Sequence, residues 1–102
     1  MPSVTHAIPT VTLYTRDDCS LCDESRGVLD ALLAERREAG LRTFEIVERD
    51  IASDPELVER FGAVIPVVEV GDRRVELAVS VSRLRRLLAD ALGDRAPTTT
   101  PR

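Results

Sequence analysis

The sequence has little that would suit a membrane-bound or secreted protein. No apolar run approaches the roughly 20 residues that a transmembrane helix needs. The first ten residues, MPSVTHAIPT, contain neither a basic region nor an apolar stretch of signal-peptide length. We therefore expect a cytoplasmic protein, and its 102 residues, 43% of them hydrophobic, are enough for one domain with one modest core.

Lysine is absent, and acids outnumber bases. All 14 basic residues are arginine and 18 residues are acidic, so the net charge is −4. This balance argues against binding to a nucleic-acid backbone. The lack of lysine beside much Ala, Val and Asp indicates the codon usage of a GC-rich genome. We expect no nucleic acid and no membrane among the partners, and we expect a monomer.

Cysteine and histidine are scarce as well. The chain has two cysteines, Cys19 and Cys22, and one histidine, His6. A disulfide between residues so close removes little chain entropy and tends to be reduced in the cytoplasm, so a structural staple explains the pair poorly. A structural zinc site needs four ligands. One chain offers only three, which makes a metal site unexpected unless two chains pool their thiols.

The remaining pattern alternates strands and helices. The first three predicted strands are separated by helices, so at least one pair of them is parallel, and a turn at Gly71 adds an antiparallel hairpin. We predict an α/β fold, β-α-β-α-β-β-α, in which three helices flank a four-stranded mixed sheet. This domain spans 11–93, between a flexible N-terminus (1–10) and a disordered tail (94–102). The predicted strands are 11–15, 43–51, 64–70 and 73–77, and the predicted helices are 20–39, 55–61 and 80–92.

Helical spacing assigns buried faces to the first and last helices. Leu21, Val28 and Leu32 fall on one face of the first, and Val81 begins the apolar face of the last. Gly27 lies inside the first helix at a cost of roughly 1 kcal/mol relative to alanine. It marks either a tolerant face or the close approach of another backbone.

Cys19 and Cys22 lie where the first strand meets the first helix. Free N–H groups and the helix dipole at a helix N-terminus stabilise an anion, which lowers a thiol pKa below its free value of about 8.5. Cys22 follows about one turn later. We therefore interpret Cys19 as the nucleophile and Cys22 as the resolving thiol of a redox-active pair.

Acidic neighbours moderate this expectation. A carboxylate about 6 Å away opposes a thiolate by roughly 0.7 kcal/mol in water and by about 3 kcal/mol at an effective dielectric constant of 20. Acids in a first turn also stabilise the helix. We expect a thiolate that is activated, but less strongly than one with positive neighbours. The acids near the pair in sequence are Asp17, Asp18, Asp23 and Glu24, against Arg16 and Arg26.

Two stretches resemble the glutaredoxins. LYTRDDCSLC is similar to the family opening, in which a strand ending in tyrosine precedes a basic residue three positions before the first active-site cysteine. GAVIPVVEV resembles the second family signature, which implies that the Ile65–Pro66 peptide bond is cis and faces the dithiol. ERDIASDPELVERFGAVIPVV looks like the small glutaredoxin-like proteins with a Cys-x-Leu-Cys site. The residues that match the opening are Tyr14, Arg16, Cys19 and Cys22.

The resemblance implies a thioredoxin-like fold of glutaredoxin type and a thiol–disulfide oxidoreductase that reduces disulfides of proteins or small molecules. It also implies that a thiol cofactor or substrate binds near Tyr14, Arg16, Ile65 and Pro66. Glutaredoxins hold one end of glutathione with a Gly-Gly-x-x-Asp segment, whereas ELAVSVSRL has neither the glycines nor the acid. Glutathione, another low-molecular-weight thiol and a protein reductant all stay open.

Other interpretations stay open too. Arg16 contacts the carboxylate of a thiol cofactor or is a solvated surface residue, and Tyr14 lies by the dithiol or simply packs in the core. Some glutaredoxin-like proteins bridge an iron–sulfur cluster between two subunits through the first cysteine and bound thiols. A domain with weak redox activity that docks a partner is a third alternative, because fold does not imply function.

Overall fold

The structure is a computed structural model that describes residues 8–93; the predictions for the segment before residue 8 and for the tail after residue 93 lie outside the described residues. The predicted order of elements is confirmed. No helix within 8–93 is long and apolar enough to cross a membrane. The elements are β1 (Thr10–Thr15), α1 (Ser20–Glu38), β2 (Glu45–Asp50), α2 (Pro55–Phe61), β3 (Val67–Val70), β4 (Arg73–Glu76) and α3 (Val81–Leu92), with a short 3-10 turn at Ile51–Ser53.

The strands form one mixed sheet in the order β2-β1-β3-β4. β1 and β2 are parallel, as the α1 crossover requires, whereas β3 is antiparallel to both β1 and β4. Gly71, with φ +61°, forms the turn between β3 and β4. The predicted parallel pair is therefore confirmed, and β2 and β4 are the two edges of the sheet.

Buried side chains lie on both faces of the sheet, because successive residues of a strand point to opposite sides. Leu13 belongs to the larger core cluster, which α1 and α3 cover, while its neighbour Tyr14 belongs to the smaller cluster under α2. The predicted arrangement of helices on both faces is confirmed. The larger cluster contains Val11, Leu13, Leu29, Leu32, Phe44, Val68, Val70, Ala78, Leu84, Leu87, Leu88 and Leu92; the smaller contains Tyr14, Ile51, Leu57, Phe61 and Val67.

For two residues the prediction of burial is wrong. Leu21 and Val81 are each 46% exposed. Both lie in the first turn of their helix, and in α1 the buried side chain of that turn is Cys22, which is 3% exposed. The buried face of α1 includes Ser25 and Arg36 instead, which are 0% and 4% exposed.

The hairpin is shorter than predicted at its open end. β3 begins at Val67, three residues later than expected, and Pro66 immediately before it has no N–H to donate to a ladder. Leu77 has φ +48°, which ends β4 at Glu76. Hydrogen bonds from Leu77 N–H to Val64 C=O (2.9 Å) and from Ala78 N–H to Pro66 C=O (2.8 Å) continue the pairing irregularly past both strand ends.

Arg36 joins the C-terminal ends of two helices. Its Nε donates to the carbonyl of Arg42 and its Nη2 to the carbonyl of Gly93, both at 2.7 Å. Gly93 is the C-cap of α3, and Arg42 lies in the loop after α1. A buried guanidinium thus satisfies carbonyls that a helix end and a loop leave unpaired.

We predict that Gly27→Ala stabilises the protein by about 1 kcal/mol, because alanine is the better helix former. A Cβ at this position meets nothing within 4 Å, so the alternative of a close backbone approach is wrong. Thermal unfolding followed by circular dichroism measures the gain as a rise in Tm of about 5 °C.

Gly40→Ala is the matched control. A Cβ there also meets nothing within 4 Å, but Gly40 has φ +74°, a left-handed conformation that costs other residues about 1 kcal/mol or more. We expect this variant to lose stability. Equal effects of the two substitutions would contradict the helix-propensity explanation.

Candidate active site

Cys19 is the N-cap residue of α1. Its backbone is extended, with φ −117° and ψ 96°, and its Sγ accepts a hydrogen bond from the N–H of Cys22 at 3.1 Å. A capping side chain satisfies one of the N–H groups that the first turn of a helix leaves free. The predicted position of Cys19 at the start of the helix is therefore confirmed, with a sulfur atom in the place where serine or aspartate oxygens usually cap.

The two cysteines differ in accessibility. They form a disulfide in this structure, with their Cα atoms 5.2 Å apart. Cys22 lies on the buried face of α1 and is 3% exposed, whereas Cys19 is half-buried at the helix tip. An approaching molecule therefore meets Cys19 first.

A cavity of about 430 Å³ opens beside the disulfide. Asp18 has φ +56°, a left-handed conformation that aspartate tolerates better than most residues, and it turns the chain from β1 into α1. Four carboxylates and two guanidinium groups make the lining acidic. The residues that line the cavity are Thr15, Arg16, Asp17, Asp18, Cys19, Cys22, Asp23, Arg26 and Glu48.

Three of the four acids expected near the dithiol line the cavity, and the fourth is replaced by another acid. Asp17, Asp18 and Asp23 line the cavity as predicted, but Glu24 does not. Glu48, which lies on β2, takes its place. Sequence neighbours alone could not show this contribution, because Glu48 reaches the cavity only through the parallel pairing of β1 with β2.

Arg26 holds Glu48 in this position. Its guanidinium makes an ion pair with Glu48, and its Nε is 3.2 Å from a carboxylate oxygen of Asp30. The hydrogen bond to Glu48 is the main cause that raises the pKa of Arg26. The Arg26–Asp30 spacing of four residues is visible in the sequence as a helical ion pair, whereas the pairing with Glu48 is not.

Arg16 is therefore the cavity's available cation. It is exposed, and within residues 8–93 it has no ion pair, whereas Arg26 is shared between two carboxylates. Because it lies in the same cavity as both cysteines, it can meet the carboxylate of a molecule that approaches the sulfur atoms.

The other sequence-predicted site residues lie outside this cavity. The Ile65–Pro66 bond is cis, as the resemblance implied. Ile65 packs against the smaller core cluster and Pro66 is buried. The structure thus brings Arg16, Cys19 and Cys22 together in one cavity, and the position of the cis-proline peptide facing the dithiol stays a prediction.

Tyr14 packs in the same cluster. Its ring lies 4.7 Å from the ring of Phe61, and its hydroxyl donates to a carboxylate oxygen of Glu69 at 2.9 Å. Tyr14 therefore packs in the core, and its place beside the dithiol stays a prediction. Burial, followed by the hydrogen bond to Glu69 and the negative charge of Glu69, raises the pKa of Tyr14 above its usual value of 10.0.

We predict that Tyr14 ionises above pH 10 and that Glu69→Gln lowers this midpoint, because the substitution removes a negative charge next to the phenolate. The chain has one tyrosine and no tryptophan, so tyrosinate absorbance reports Tyr14 alone. Since the pKa is raised in the folded state, the associated stability is fully present below about pH 10 and is lost as the pH rises through the folded-state pKa.

Glu45→Gln, at the opposite end of the β1–β2 pairing, is the control for this titration and leaves the midpoint unchanged. If Glu69→Gln also left it unchanged, burial alone would hold the proton and the role of Glu69 would be contradicted.

Near the dithiol lies a buried polar side chain that the sequence pattern did not indicate. Ser25 is fully buried on α1, three residues after Cys22, and its hydroxyl has no hydrogen-bond partner among the residues that the structure describes. Within the same residues, no three His, Cys, Asp or Glu side chains gather closely enough to hold a metal ion.

Comparison with known proteins gives the chain a family. The model of the glutaredoxin-like domain (DUF836) matches residues 10–89. The X-ray structure of the Northeast Structural Genomics target protein XcR50 from X. campestris is 29% identical, with a TM-score of 0.63 over 79% of this chain and 97% of that chain. No protein with curated annotation matches.

Two more distant structures show the fold alone. The N-terminal domain of Synechococcus elongatus SasA is 16% identical, with a TM-score of 0.67 over 97% of this chain and 96% of that domain. A malarial protein is 18% identical, with a TM-score of 0.57 over 84% of this chain and 99% of its own. The chain therefore belongs to the glutaredoxin-like domain family (DUF836), and its thioredoxin-like fold carries a Cys-x-x-Cys pair of redox type.

Proposed function

We propose that this protein is a thiol–disulfide oxidoreductase that reduces disulfides of proteins or small molecules. The observation that carries the proposal is the N-cap geometry of Cys19. Its sulfur accepts the N–H of Cys22 at 3.1 Å at the start of a 19-residue helix, where an anion is favoured. The same contact stabilises a thiolate when the pair is reduced.

The proposed reaction transfers two electrons from the dithiol to the substrate. The Cys19 thiolate attacks one sulfur of the substrate disulfide, and the other substrate sulfur leaves as a thiolate and takes up a proton. Cys22 then loses its proton and attacks the Cys19 sulfur, which releases the second substrate thiol. The Cys19–Cys22 disulfide that this leaves is the form in the structure.

Two equivalents of a thiol would return the protein to its reduced form. Glutathione or another low-molecular-weight thiol fits this role, and Arg16 is the residue that we assign to its carboxylate. The supporting observation is that Arg16 lines the dithiol cavity without an ion pair in the described part of the chain. We also propose, from the family resemblance, that the thiol or the substrate binds near Tyr14, Ile65 and Pro66.

The experiment that tests the function is a redox titration followed by a transfer assay. The protein is equilibrated with defined ratios of reduced and oxidised dithiothreitol, and its thiols are counted by alkylation and mass spectrometry. We expect two thiols to appear together, and we expect the reduced protein to reduce a peptide that contains a single disulfide. A pair that releases no thiols, or a reduced protein that leaves the peptide intact, would refute the proposal.

We predict that Arg16→Gln raises the KM for glutathione by about tenfold, because it removes one hydrogen bond to a charged group. Reduction by dithiothreitol, which has no carboxylate, should proceed at the wild-type rate and is the internal control. Equal slowing with both reductants would show that Arg16 acts on the disulfide itself and would contradict its assignment to the carboxylate.

A further inference from the structure

The β4 edge of the sheet forms a second cavity with α3. Its volume is about 580 Å³, larger than that of the dithiol cavity, and the two cavities share no lining residue. We call it the β4–α3 groove. It is lined by Arg73, Arg74 and Val75 from β4 and by Ser82, Arg83, Arg86, Leu87 and Asp90 from α3.

The charge of the β4–α3 groove is opposite to that of the chain. The guanidinium groups of Arg73, Arg83 and Arg86 line it beside Asp90, although the protein as a whole has a net charge of −4. The dithiol cavity, by contrast, has four carboxylates and two arginines. Cationic side chains so concentrated raise the local concentration of an anionic partner.

Most of these arginines have no carboxylate partner. Within residues 8–93, Arg73, Arg83 and Arg86 make no ion pair. The guanidinium of Arg74 lies on the other face of the sheet, 3.9 Å from Glu69 and 5.5 Å from the centre of the Phe61 ring. The neighbouring Arg85 lies outside the groove and pairs with Glu35 at 2.8 Å. On the side of α1, helix α3 thus has an arginine that forms an ion pair. On the side of β4 it has arginines that form none within residues 8–93.

The backbone of β4 is also open along the groove. Among the described strands β4 pairs only with β3, so every second residue of β4 presents its N–H and C=O away from the sheet. Val75 and Leu87 supply apolar surface between the charged groups. An unpaired strand edge beside a lined groove is the geometry by which sheets bind extended peptides.

We propose that the β4–α3 groove binds an extended acidic segment of a partner protein. The segment adds as a strand to β4 and places its carboxylates against Arg73, Arg83 and Arg86. This binding is separate from the redox chemistry, because neither cysteine and no residue of the dithiol cavity contributes to the groove.

Two simpler explanations, protection of an edge strand and binding of nucleic acid, account for fewer features of the β4–α3 groove. Charged residues on an edge strand discourage pairing between copies, but that role requires no second row of arginines on α3. Nucleic acid is disfavoured because the groove lining contains no aromatic side chain for base stacking and the chain is acidic overall.

The test is an NMR titration of the isotope-labelled full-length protein in its disulfide form. The probe is an unlabelled, end-capped peptide of six glutamates, and its counterpart has six glutamines. We expect shifts confined to amides of β4 and α3 with the glutamate peptide only. We also expect binding to weaken when the salt concentration rises from about 50 mM to about 300 mM.

Charge-reversal variants test the groove itself. Arg83→Glu with Arg86→Glu should weaken binding by about tenfold or more, since two attractive charges become repulsive. The matched control is Arg37→Glu with Arg42→Glu, which makes the same change of charge at exposed residues outside the groove. Equal weakening by the two variants would show attraction to overall charge only and would overturn the proposal.

Three further results would also overturn it. A glutamate peptide with alternate N-methylated amides has the same charge but pairs poorly with a strand, so undiminished binding would exclude strand addition. Tighter binding of a single-stranded oligonucleotide at the same amides would identify nucleic acid as the occupant. Concentration-dependent shifts of these amides without peptide would identify a second copy of the chain.

Discussion

Replacing Cys19 with serine is expected to abolish disulfide reduction, with turnover falling to the uncatalysed background. Serine keeps an oxygen at the N-cap, so α1 retains its cap, but a hydroxyl is not ionised near neutral pH and does not attack a disulfide. The measurement is the rate at which the reduced variant releases thiols from a disulfide-containing peptide. Circular dichroism checks that the fold is kept.

Cys22→Ser is the complementary variant and should stop the reaction halfway. Cys19 still attacks, but no second thiol is present to release the product, so a mixed disulfide between Cys19 and the peptide accumulates and is visible by mass spectrometry. The 3% exposure of Cys22 fits a thiol that acts only within the protein. A mixed disulfide on Cys22 of the Cys19→Ser variant, with none on Cys19 of the other variant, would reverse the two roles.

Arg36→Met is expected to destabilise the fold by about 2–4 kcal/mol, the largest stability effect that we predict. Methionine keeps an apolar stem of similar length, but it leaves the carbonyls of Arg42 and Gly93 without the buried guanidinium that now donates to both. Losing hydrogen bonds to a charged group and leaving acceptors unsatisfied each costs on the order of 1–3 kcal/mol. Thermal unfolding should show a fall in Tm of more than about 10 °C.

Arg37→Met makes the same chemical change one residue later, on the exposed side of the same helical turn. Surface substitutions of this kind usually change stability by no more than about 0.5 kcal/mol. If Arg36→Met were as mild as Arg37→Met, the carbonyls would have found other partners and the anchoring role of Arg36 would be contradicted.

The elements of the fold could be predicted because each has a local physical cause. The short run of residues 11–15, rich in strand-forming types, and the turn at Gly71 act over a few residues, and the structure has β1 and the hairpin turn where these signals indicated. The position of the dithiol followed in the same way, because a strand end and a helix start meet at Cys19.

The burial of individual helix residues was predicted less well, because it depends on how the helix packs against other elements. Helical spacing alone treats Leu21 like any other apolar residue on its face, but in the first turn Cys22 takes the buried position and Leu21 stays exposed. Arg36 is the opposite case, because it is charged and yet buried. Its charge suggests a surface position, and only the packing of the Arg42 loop and the end of α3 against it provides the carbonyl acceptors that its guanidinium needs.

By itself, the sequence determined the order of the elements, the mixed sheet and the place of Cys19 at a helix N-terminus, because short-range periodicity, turns and capping specify these. Only the tertiary structure decided which charges surround the sulfur atoms and which arginines stay unpaired. Glu48 joins the dithiol cavity through the pairing of β2 with β1, and Arg83 and Arg73 line one groove because α3 packs beside the edge strand. Ion pairs between residues far apart in the chain depend on how the helices and strands pack together, and a pattern of neighbouring residues does not predict that packing.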